Sequence, residues 1–396
     1  MTRQGPRVLH ILDNLGLGGA EVWLMELLRH WRRQGVDAPR CDFLATGGRP
    51  GAFDDEARAL GAEVFYLRYG VRDLPGFALG FRRILKQGGY DALHDHADYS
   101  SGWHYQLGEG RLPPVRLTHI HNSLAMHRNN YRTSVRRGAA AAVGKALVGR
   151  HATHIGGTSR QIVSDYGFDA PRFRRIPKLA VYCGLDPARF RGDGERAQWD
   201  VCEEFGWPAG AKLVLVAGRI DATARADDAQ NHKNSGFAVE VAIQAARRDP
   251  AVHVIFAGAC SPASGEFEAR IAAAGLRGRI VLVGVRRDIE RLMQACDVLL
   301  FPSKGEGLGM VAVEAQAAGM AVLASSAVPR ECAVVPGLVR FKDLADGEEA
   351  WAGALLELLG LGRDRAAANA LVAASPFAIA HSAATLEAIY AGAVPG

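Results

Sequence analysis

The chain has 396 residues, more than one ordinary hydrophobic core requires, and this length suits two domains of about 100–200 residues each. Its hydrophobic content of 48% and charged content of 22% are ordinary for a globular protein. The net charge of +5 is too small to indicate a nucleic-acid-binding protein. The six cysteines are scattered without a C-x-x-C pair, which argues against a zinc site and a disulfide scaffold and indicates a reducing compartment.

Targeting and membrane signals are also not expected. The N-terminal apolar run is broken by His10 and Asp13, which argues against a signal peptide. No window of about 20 uninterrupted apolar residues occurs, so we expect no membrane-spanning helix. The sequence therefore predicts a cytoplasmic protein.

Short apolar runs alternate with helical segments along the chain. In the first half, strands are predicted at Val8–Leu12, Cys41–Ala45, Val64–Leu67, Ala92–Leu93 and Val115–Ile120, with a helix at Ala20–Arg33. In the second half, strands are predicted at Leu213–Ala217, Val252–Ala257, Ile280–Val283, Val298–Phe301 and Ala321–Ala324. This alternation is typical of parallel sheets with crossover helices.

A polar stretch separates the two halves and predicts a linker at about 189–208. The sequence thus predicts an α/β fold of two Rossmann-like, doubly wound parallel-sheet domains, 1–188 and 209–375, facing each other across a cleft. In such sheets, ligands bind beyond the carboxyl ends of the strands. The residues just after each strand are therefore the candidate site residues.

Two glycine loops follow predicted strands. In the first, Gly18 and Gly19 could let the backbone approach an anion, but Glu21 breaks the dinucleotide fingerprint, and a plain turn is an equal alternative. The second has three glycines before a helix, which suits a diphosphate at the helix N-terminus. There Glu306 and Glu314 lie two helical turns apart and could reach different hydroxyls of one ligand; alternatively, Glu314 is a solvated helix residue.

Basic and imidazole side chains also follow strands. Arg219 and Lys233 could neutralise phosphate oxygens, although either could be an ordinary surface cation. Two histidine pairs, His94 with His96 and His119 with His121, end neighbouring strands and indicate at least one functional role. A metal site is disfavoured because no H-E-x-x-H motif and no clear carboxylate completes a ligand set.

The segment 128–150 is basic and helical in composition. Between Glu109 and Asp165 the chain has nine arginines and lysines and no acidic residue. A basic amphipathic helix can lie on anionic lipid. A solvated helix face is the equal alternative.

The run Phe301–Met320 resembles the Glu-x7-Glu signature of glycosyltransferase family four, retaining enzymes of the GT-B fold. Further stretches are similar to the family in the same order: Gly18–Glu21, Thr118–Ser123, Val181–Asp186, Gly218–Arg219, Asn231–Asn234 and the ending Pro376–Tyr390. The paired histidines and the basic helix resemble bacterial capsule and exopolysaccharide transferases most. The resemblance implies that the C-terminal helix, 376–396, packs back on the first domain.

The resemblance also implies a role for each candidate residue. Arg219 and Lys233 would neutralise the donor diphosphate, helped by the amides of Leu308 and Gly309. Glu314 would bind the ribose and Glu306 the transferred sugar. Gly284 and Val285 would lie against the base, Gly18 and Gly19 would close over the diphosphate, and His121 would contact the sugar near the reacting carbon. An insertion at about 221–230 departs from the family pattern and leaves Arg225 as an alternative to Lys233.

The function that this resemblance implies is a retaining, metal-independent hexosyltransferase. It would use a nucleotide sugar as substrate, UDP-linked rather than GDP-linked, and no cofactor. The acceptor would be a glycan or a polyprenyl-linked molecule in cell-surface polysaccharide synthesis, at the inner face of the plasma membrane if the basic helix binds lipid. A sugar-nucleotide 2-epimerase is the main alternative, ahead of a nicotinamide oxidoreductase and a non-catalytic binding protein.

Overall fold

The computed structural model describes residues 5–35, 37–124, 135–221 and 231–395. The chain divides into two compact units, the first made of Met1–Leu185 with Pro376–Gly396 and the second of Asp186–Ser375. Within the described ranges, no helix combines the length and the apolar character that crossing a bilayer requires.

The first unit is built on a sheet of seven parallel strands in the order β3-β2-β1-β4-β5-β6-β7. The strands are β1 (Arg7–Leu12), β2 (Arg40–Ala45), β3 (Val64–Tyr66), β4 (Ala92–Asp95), β5 (Val115–Ile120), β6 (His154–Gly157) and β7 (Lys178–Ala180). The helices between them are α1 (Gly19–Gln34), α2 (Asp54–Ala59), α3 (Leu74–Gly88), α4 (Ser101–Gly108), α5 (Val135–His151) and α6 (Arg160–Asp165).

The second unit contains six parallel strands in the order β10-β9-β8-β11-β12-β13. The strands are β8 (Lys212–Ala217), β9 (Val252–Ala257), β10 (Ile280–Gly284), β11 (Val298–Phe301), β12 (Ala321–Ser325) and β13 (Val339–Lys342). Its helices are α7 (Gly194–Phe205), α8 (Ser235–Arg248), α9 (Ser264–Ala273), α10 (Ile289–Ala295), α11 (Met310–Ala317), α12 (Gly347–Leu358) and α13 (Arg365–Ala373). The last helix, α14 (Ile379–Tyr390), belongs to the first unit.

Two parallel α/β sheets confirm the predicted fold class, and the structure adds three strands, β6, β7 and β13. These strands carry weak sequence signals. The strand β6 ends in Gly156 and Gly157, β7 is only three residues long, and β13 alternates with the charged Arg340 and Lys342. Short or glycine-containing runs do not produce the long apolar pattern of a buried parallel strand.

The polar stretch 189–208 is largely folded within the second unit, because it contains α7. The carboxylate of Asp193 caps this helix by accepting from the backbone N–H groups of Glu195 and Arg196. Ala197 and Val201, one helical turn apart, form its buried face. The boundary between the units lies at Leu185 and Asp186.

Each sheet reverses its strand order at one place. In the first sheet this is between β1 and β4, and in the second it is between β8 and β11. Ligands of doubly wound sheets bind where the loops after such a strand pair diverge. The loops after β8 and β11 carry the cations and glutamates singled out above, and the ends of β4 and β5 carry the histidines.

Candidate active site

A lysine–glutamate ion pair joins two loops at the switch point of the second sheet. Lys233 precedes α8 and Glu306 follows β11, and Nζ of the lysine lies 2.7 Å from Oε1 of the glutamate. The hydroxyl of Ser303 donates to the same oxygen over 2.6 Å. Oε2 of Glu306 makes no hydrogen bond to any part of the chain that the structure describes. The carboxylate is therefore oriented through one oxygen and can offer the other to a ligand.

The turn after β8 lies against the lysine side chain. Gly218 has a φ of +137°, and a Cβ atom on it would lie 3.4 Å from Cε of Lys233. Gly258, after β9, packs closer still, since a Cβ on it would lie 1.8 Å from the carbonyl oxygen of Gly218. Burial lowers the pKa of His232, and the nearby charge of Arg219 lowers it further, whereas Asp221 raises it. Because His232 directly precedes Lys233, both predicted cations, Arg219 and Lys233, lie near the Gly218 turn.

The buried carboxylate of Asp221 fixes the chain on both sides of the inserted segment. It accepts from the backbone N–H groups of Lys233 over 3.1 Å and of Ser235 over 2.8 Å. The backbone N–H of Asp221 donates in return to the hydroxyl of Ser235 over 3.0 Å. Lys233 therefore stays beside the Gly218 turn in spite of the insertion. Arg225 lies outside the described residues.

Helix α11 begins directly after the second glycine loop. Gly309 is its N-cap with a φ of +89°, and Leu308 before it is 2% exposed. The N–H groups of a first helical turn have no partner within the helix and carry its positive dipole end. This terminus can therefore bind an anion. Glu314 lies half-buried in the second turn of the helix.

One exposed apolar residue follows the end of β10. Gly284 has a φ of +68°, and its carbonyl accepts from the N–H of Gly258 over 2.8 Å. Val285 follows with 59% of its surface exposed. An exposed valine beside a strand end offers a face on which a flat ring could lie.

In the first unit, the glycine loop after β1 leaves its backbone open on one side. Gly18 is the N-cap of α1, and a Cβ on it would lie 2.2 Å from Oε2 of Glu21. A Cβ on Gly19 would meet no atom within 4 Å. The Glu21 side chain therefore lies against Gly18, and burial raises the pKa of its carboxyl.

Five histidines lie together on one face of the first sheet. We call His10, His94, His96, His119 and His121 the histidine cluster. Side chains alternate across a strand, so the histidines of β1, β4 and β5 share the face opposite to that of Leu9 and Leu93. The sequence pattern singled out the last four of these histidines but not His10, because its position in the middle of an apolar strand gave it the signal of a core residue.

Hydrogen bonds divide the histidine cluster into two chains. In one, Nδ1 of His10 lies 3.0 Å from Nε2 of His96, and Nδ1 of His96 lies 2.8 Å from Nε2 of His121. In the other, the hydroxyl of Tyr390 lies 2.7 Å from Nδ1 of His94, and Nε2 of His94 lies 3.0 Å from Nδ1 of His119.

The environment keeps these rings uncharged. Burial lowers the pKa of His10 to about 3 and that of His121 to about 4. Burial, with neighbouring imidazoles, also lowers the pKa values of His94, His96 and His119. Two trios of the cluster have ring nitrogens within 4.8 Å of one another, a spacing at which neutral imidazoles can ligate a metal. The histidines of both trios also take part in the two hydrogen-bonded chains.

The helix α5 occupies most of the segment predicted to be basic. Lys145 turns inward, where it donates to the carbonyl of Tyr166 over 2.6 Å and lies over the rings of Phe168 and Phe173. Arg150 pairs with Glu109. The side chains of Arg136 and Arg137, together with Arg128 and Arg132, lie outside the described residues.

Comparison with known proteins identifies the family. The family described as Glycosyltransferase Family 4 matches residues 17–187, and the one described as Glycosyl transferases group 1 matches residues 213–360. A D-inositol 3-phosphate glycosyltransferase of Nocardia farcinica is 31% identical over 350 residues, which are 83% of this chain and 69% of that protein. The chain belongs to the group 1, family 4 glycosyltransferases.

Another relative and a solved structure are consistent with this family and its fold. EpsF of Bacillus subtilis, provisionally named a glycosyltransferase, is 27% identical over 371 residues, 92% of this chain and 91% of that one. The crystal structure of Anabaena HepE in complex with UDP and glucose has a TM-score of 0.72 at 18% identity and covers 96% of this chain and 98% of its own. At that identity the likeness shows the GT-B fold alone.

Three residues of the candidate site in this glycosyltransferase were not predicted from the sequence. Ser303 orients Glu306, Asp221 fixes Lys233, and Gly258 makes room for the Gly218 turn. Each acts through contacts to residues that are distant in sequence. In the sequence, Asp221 is marked only by its place at the start of the insertion, and Gly258 only by its place just after a strand.

Proposed function

We propose that this glycosyltransferase moves a hexose from a UDP-sugar to a glycan or lipid-linked acceptor in cell-surface polysaccharide synthesis, with retention of configuration and without a metal. The observation that carries the proposal is the Lys233–Glu306 pair, 2.7 Å apart, between the Gly218 turn and the N-terminus of α11. The pair supplies a fixed cation and a carboxylate with an available oxygen. Glu306 lies in the loop that leads into α11, and the first amides of this helix can bind an anion as well.

The chemistry needs stabilisation of a departing diphosphate. When the bond between the anomeric carbon and phosphate breaks, negative charge builds on the leaving group and positive charge on the sugar. Lys233, Arg219 and the amides at Leu308 and Gly309 would stabilise the diphosphate electrostatically, as preorganised donors do in other enzymes. A front-face attack, in which the leaving phosphate takes the proton of the acceptor hydroxyl, would retain the configuration without a protein nucleophile.

The carboxylates and the apolar strand end would recognise the rest of the donor. Oε2 of Glu306 would accept a hydroxyl of the transferred sugar, and Glu314 would accept the ribose hydroxyls. Gly284 and Val285 would lie against the base. The UDP and glucose bound by HepE support a uridine donor.

For the first unit, we propose that Gly18 and Gly19 approach the diphosphate and that His121 contacts the transferred sugar. The open backbone at Gly19 supports the first role, and the position of His121 at the carboxyl end of β5 supports the second. We further propose that the basic segment 128–150 binds the anionic inner face of the plasma membrane, which its lack of acidic residues supports.

A donor screen tests the proposal. Thermal shift with UDP-sugars and GDP-sugars should show stabilisation by a UDP-sugar, about 2.7 kcal/mol at 100 times its dissociation constant. Incubation of that donor with lipid-linked and glycan acceptors, with and without EDTA, should give a product of the donor's anomeric configuration in both cases. Interconversion of the donor alone would indicate the epimerase instead, and an inverted product or loss of activity in EDTA would refute the proposed mechanism.

A further inference from the structure

The second hydrogen-bonded chain of the histidine cluster has a direction that one carbonyl fixes. Nε2 of His119 lies 3.0 Å from the carbonyl oxygen of Val181, which can only accept, so this nitrogen carries the proton. The neutral ring of His119 then accepts at Nδ1 from Nε2–H of His94. His94 in turn accepts at Nδ1 from the hydroxyl of Tyr390. All three donors therefore point from α14 towards Val181.

The first chain, His10–His96–His121, has two conceivable directions. If it runs inward, from His121 to His10, the last N–H is on Nε2 of His10. That atom is buried and has no hydrogen-bond partner among the described residues. If the chain runs outward, His10 donates from Nδ1 and leaves only a lone pair at the buried atom. A buried N–H group without an acceptor is the rarer and costlier arrangement, so the outward direction is favoured.

The outward direction decides where His121 keeps its proton. His10 Nδ1–H donates to Nε2 of His96, and His96 Nδ1–H donates to Nε2 of His121. The single proton of the neutral His121 ring is then on Nδ1. That nitrogen has no hydrogen-bond partner in the part of the chain that the structure describes, so its N–H is available to a ligand.

The backbone of His121 also has contacts that hold it in place. Asp98, three residues after the end of β4, adopts a φ of +50°, which is unusual for a residue with a side chain. Its carboxylate accepts from the backbone N–H of His121 over 3.3 Å and from the side-chain amide of Asn122 over 3.1 Å. The ring of Trp23 packs against His121 at a centroid distance of 6.0 Å. Contacts within the first unit therefore hold both the ring and the main chain of His121.

We infer that His96, supported by His10, is a positioning residue that fixes the proton of His121 on Nδ1, so that His121 presents a neutral N–H donor to an oxygen of the substrate. This inference rests on the proposed contact between His121 and the transferred sugar. A neutral donor can orient a hydroxyl or stabilise an oxygen that gains negative charge. It cannot remove a proton through the same nitrogen, so His121 is not a general base there.

Nitrogen-15 NMR of the histidine rings in the ligand-free, full-length protein tests the tautomers directly. We expect unprotonated Nε2 and protonated Nδ1 on His121 and His96, and the opposite tautomer on His94 and His119. The opposite tautomer on His121, or a metal bound stoichiometrically to the purified protein at these nitrogens, would overturn the inference. This measurement needs no donor or acceptor, so it remains decisive if the proposed transfer reaction proves wrong.

Two substitutions of His10 test the consequence for catalysis. His10→Leu removes the donor, whereas His10→Asn keeps an amide donor near the position of Nδ1. We expect kcat to fall about tenfold in His10→Leu, the scale of one lost hydrogen bond, with the KM of the donor sugar unchanged and the tautomer of His121 mixed. His10→Asn should restore both. An equal loss in the two variants, or no loss in His10→Leu, would show that the ring acts only in packing.

Discussion

At the scale of single residues, the ion pair between Lys233 and Glu306 carries the proposed chemistry. We expect Arg219→Ala, Lys233→Ala and Glu306→Ala each to lower kcat by about 10²–10³-fold, because each removes a charge that acts on the transition state. Their melting temperatures should stay near that of the wild type, since all three side chains lie at least partly at the surface. Steady-state kinetics with the preferred donor measures the effect.

The chain offers a matched control for these variants. Lys212 begins β8 and pairs with Asp249 over 2.8 Å, almost the distance of the Lys233–Glu306 pair, but at the amino end of the same strand. Lys212→Ala should leave kcat unchanged. Wild-type turnover in Arg219→Ala or Glu306→Ala would contradict the assignment of the site.

The close approach of Gly258 to the Gly218 turn leads to a second prediction. In Gly258→Ala the new methyl group would lie 1.8 Å from the carbonyl oxygen of Gly218, so the turn that carries Arg219 must move. We expect a loss of about 1–3 kcal/mol of stability and weaker donor binding, measured by urea unfolding and calorimetry. Gly265→Ala is the control, because a Cβ there meets no atom within 4 Å and Gly265 lies in α9. Equal donor affinity in Gly258→Ala and Gly265→Ala would show that Gly258 does not position the turn that carries Arg219.

The sequence indicated which residue types to consider but not how they meet. A glycine-rich turn, a cation after a strand and the Glu-x7-Glu spacing are local features, so the sequence alone is enough to propose Arg219, Glu306 and Glu314. The contacts of Ser303 and Asp221 join loops that are distant along the chain, and no short window contains both partners. Such residues can be identified only from the folded structure, in which the sheet brings the loops together.

At the scale of elements, the carboxylate of Asp221 at the start of α8 connects stability with the site. We expect Asp221→Ala to cost about 1–3 kcal/mol, because it leaves the backbone N–H groups of Lys233 and Ser235 without their acceptor. It should also lower kcat, since Lys233 loses its anchor. Asp193→Ala at the cap of α7 should cost about 1 kcal/mol without lowering kcat. Equal kinetic effects of Asp221→Ala and Asp193→Ala would show that Asp221 does not position Lys233.

The basic segment before and within α5 allows a second test at this scale. We expect neutralising Arg132, Arg136 and Arg137 together to weaken co-sedimentation with vesicles of anionic lipid, by about 1 kcal/mol for each charge. Neutralising Arg32, Arg83 and Lys86, exposed cations on α1 and α3, removes the same charge elsewhere in the first unit. Unchanged co-sedimentation of the first variant, or an equal loss in both, would exclude a specific role for this segment.

At the scale of the whole molecule, the histidine cluster predicts instability in acid. Burial lowers the pKa values of the folded cluster, to about 3 for His10 and about 4 for His121, whereas the unfolded chain keeps ordinary values near 6.5. Well above pH 6.5 neither state binds protons at these rings. As pH falls below it, only the unfolded state binds them, and the free energy of unfolding decreases by up to about 1.4 kcal/mol per pH unit for each ring.

Urea unfolding between pH 7.5 and about pH 5 measures this dependence. His10→Phe should reduce the number of protons taken up on unfolding by one and flatten the dependence. His381→Phe, at an exposed position of α14, should leave it as in the wild type. A wild-type stability that does not change over this range would contradict the lowered pKa values of the cluster.

The sequence alone determined the fold class, because alternating buried strands and helices have few stable arrangements other than stacked parallel sheets with crossover helices. It also determined which strand ends carry charged residues and histidines. Only the tertiary structure decided that His10 joins the cluster, that Asp221 holds Lys233 in place and that the stretch 189–208 contains the helix α7. Those outcomes depend on contacts between residues up to hundreds of positions apart, such as His94 with Tyr390, and such contacts leave no local periodicity in the sequence.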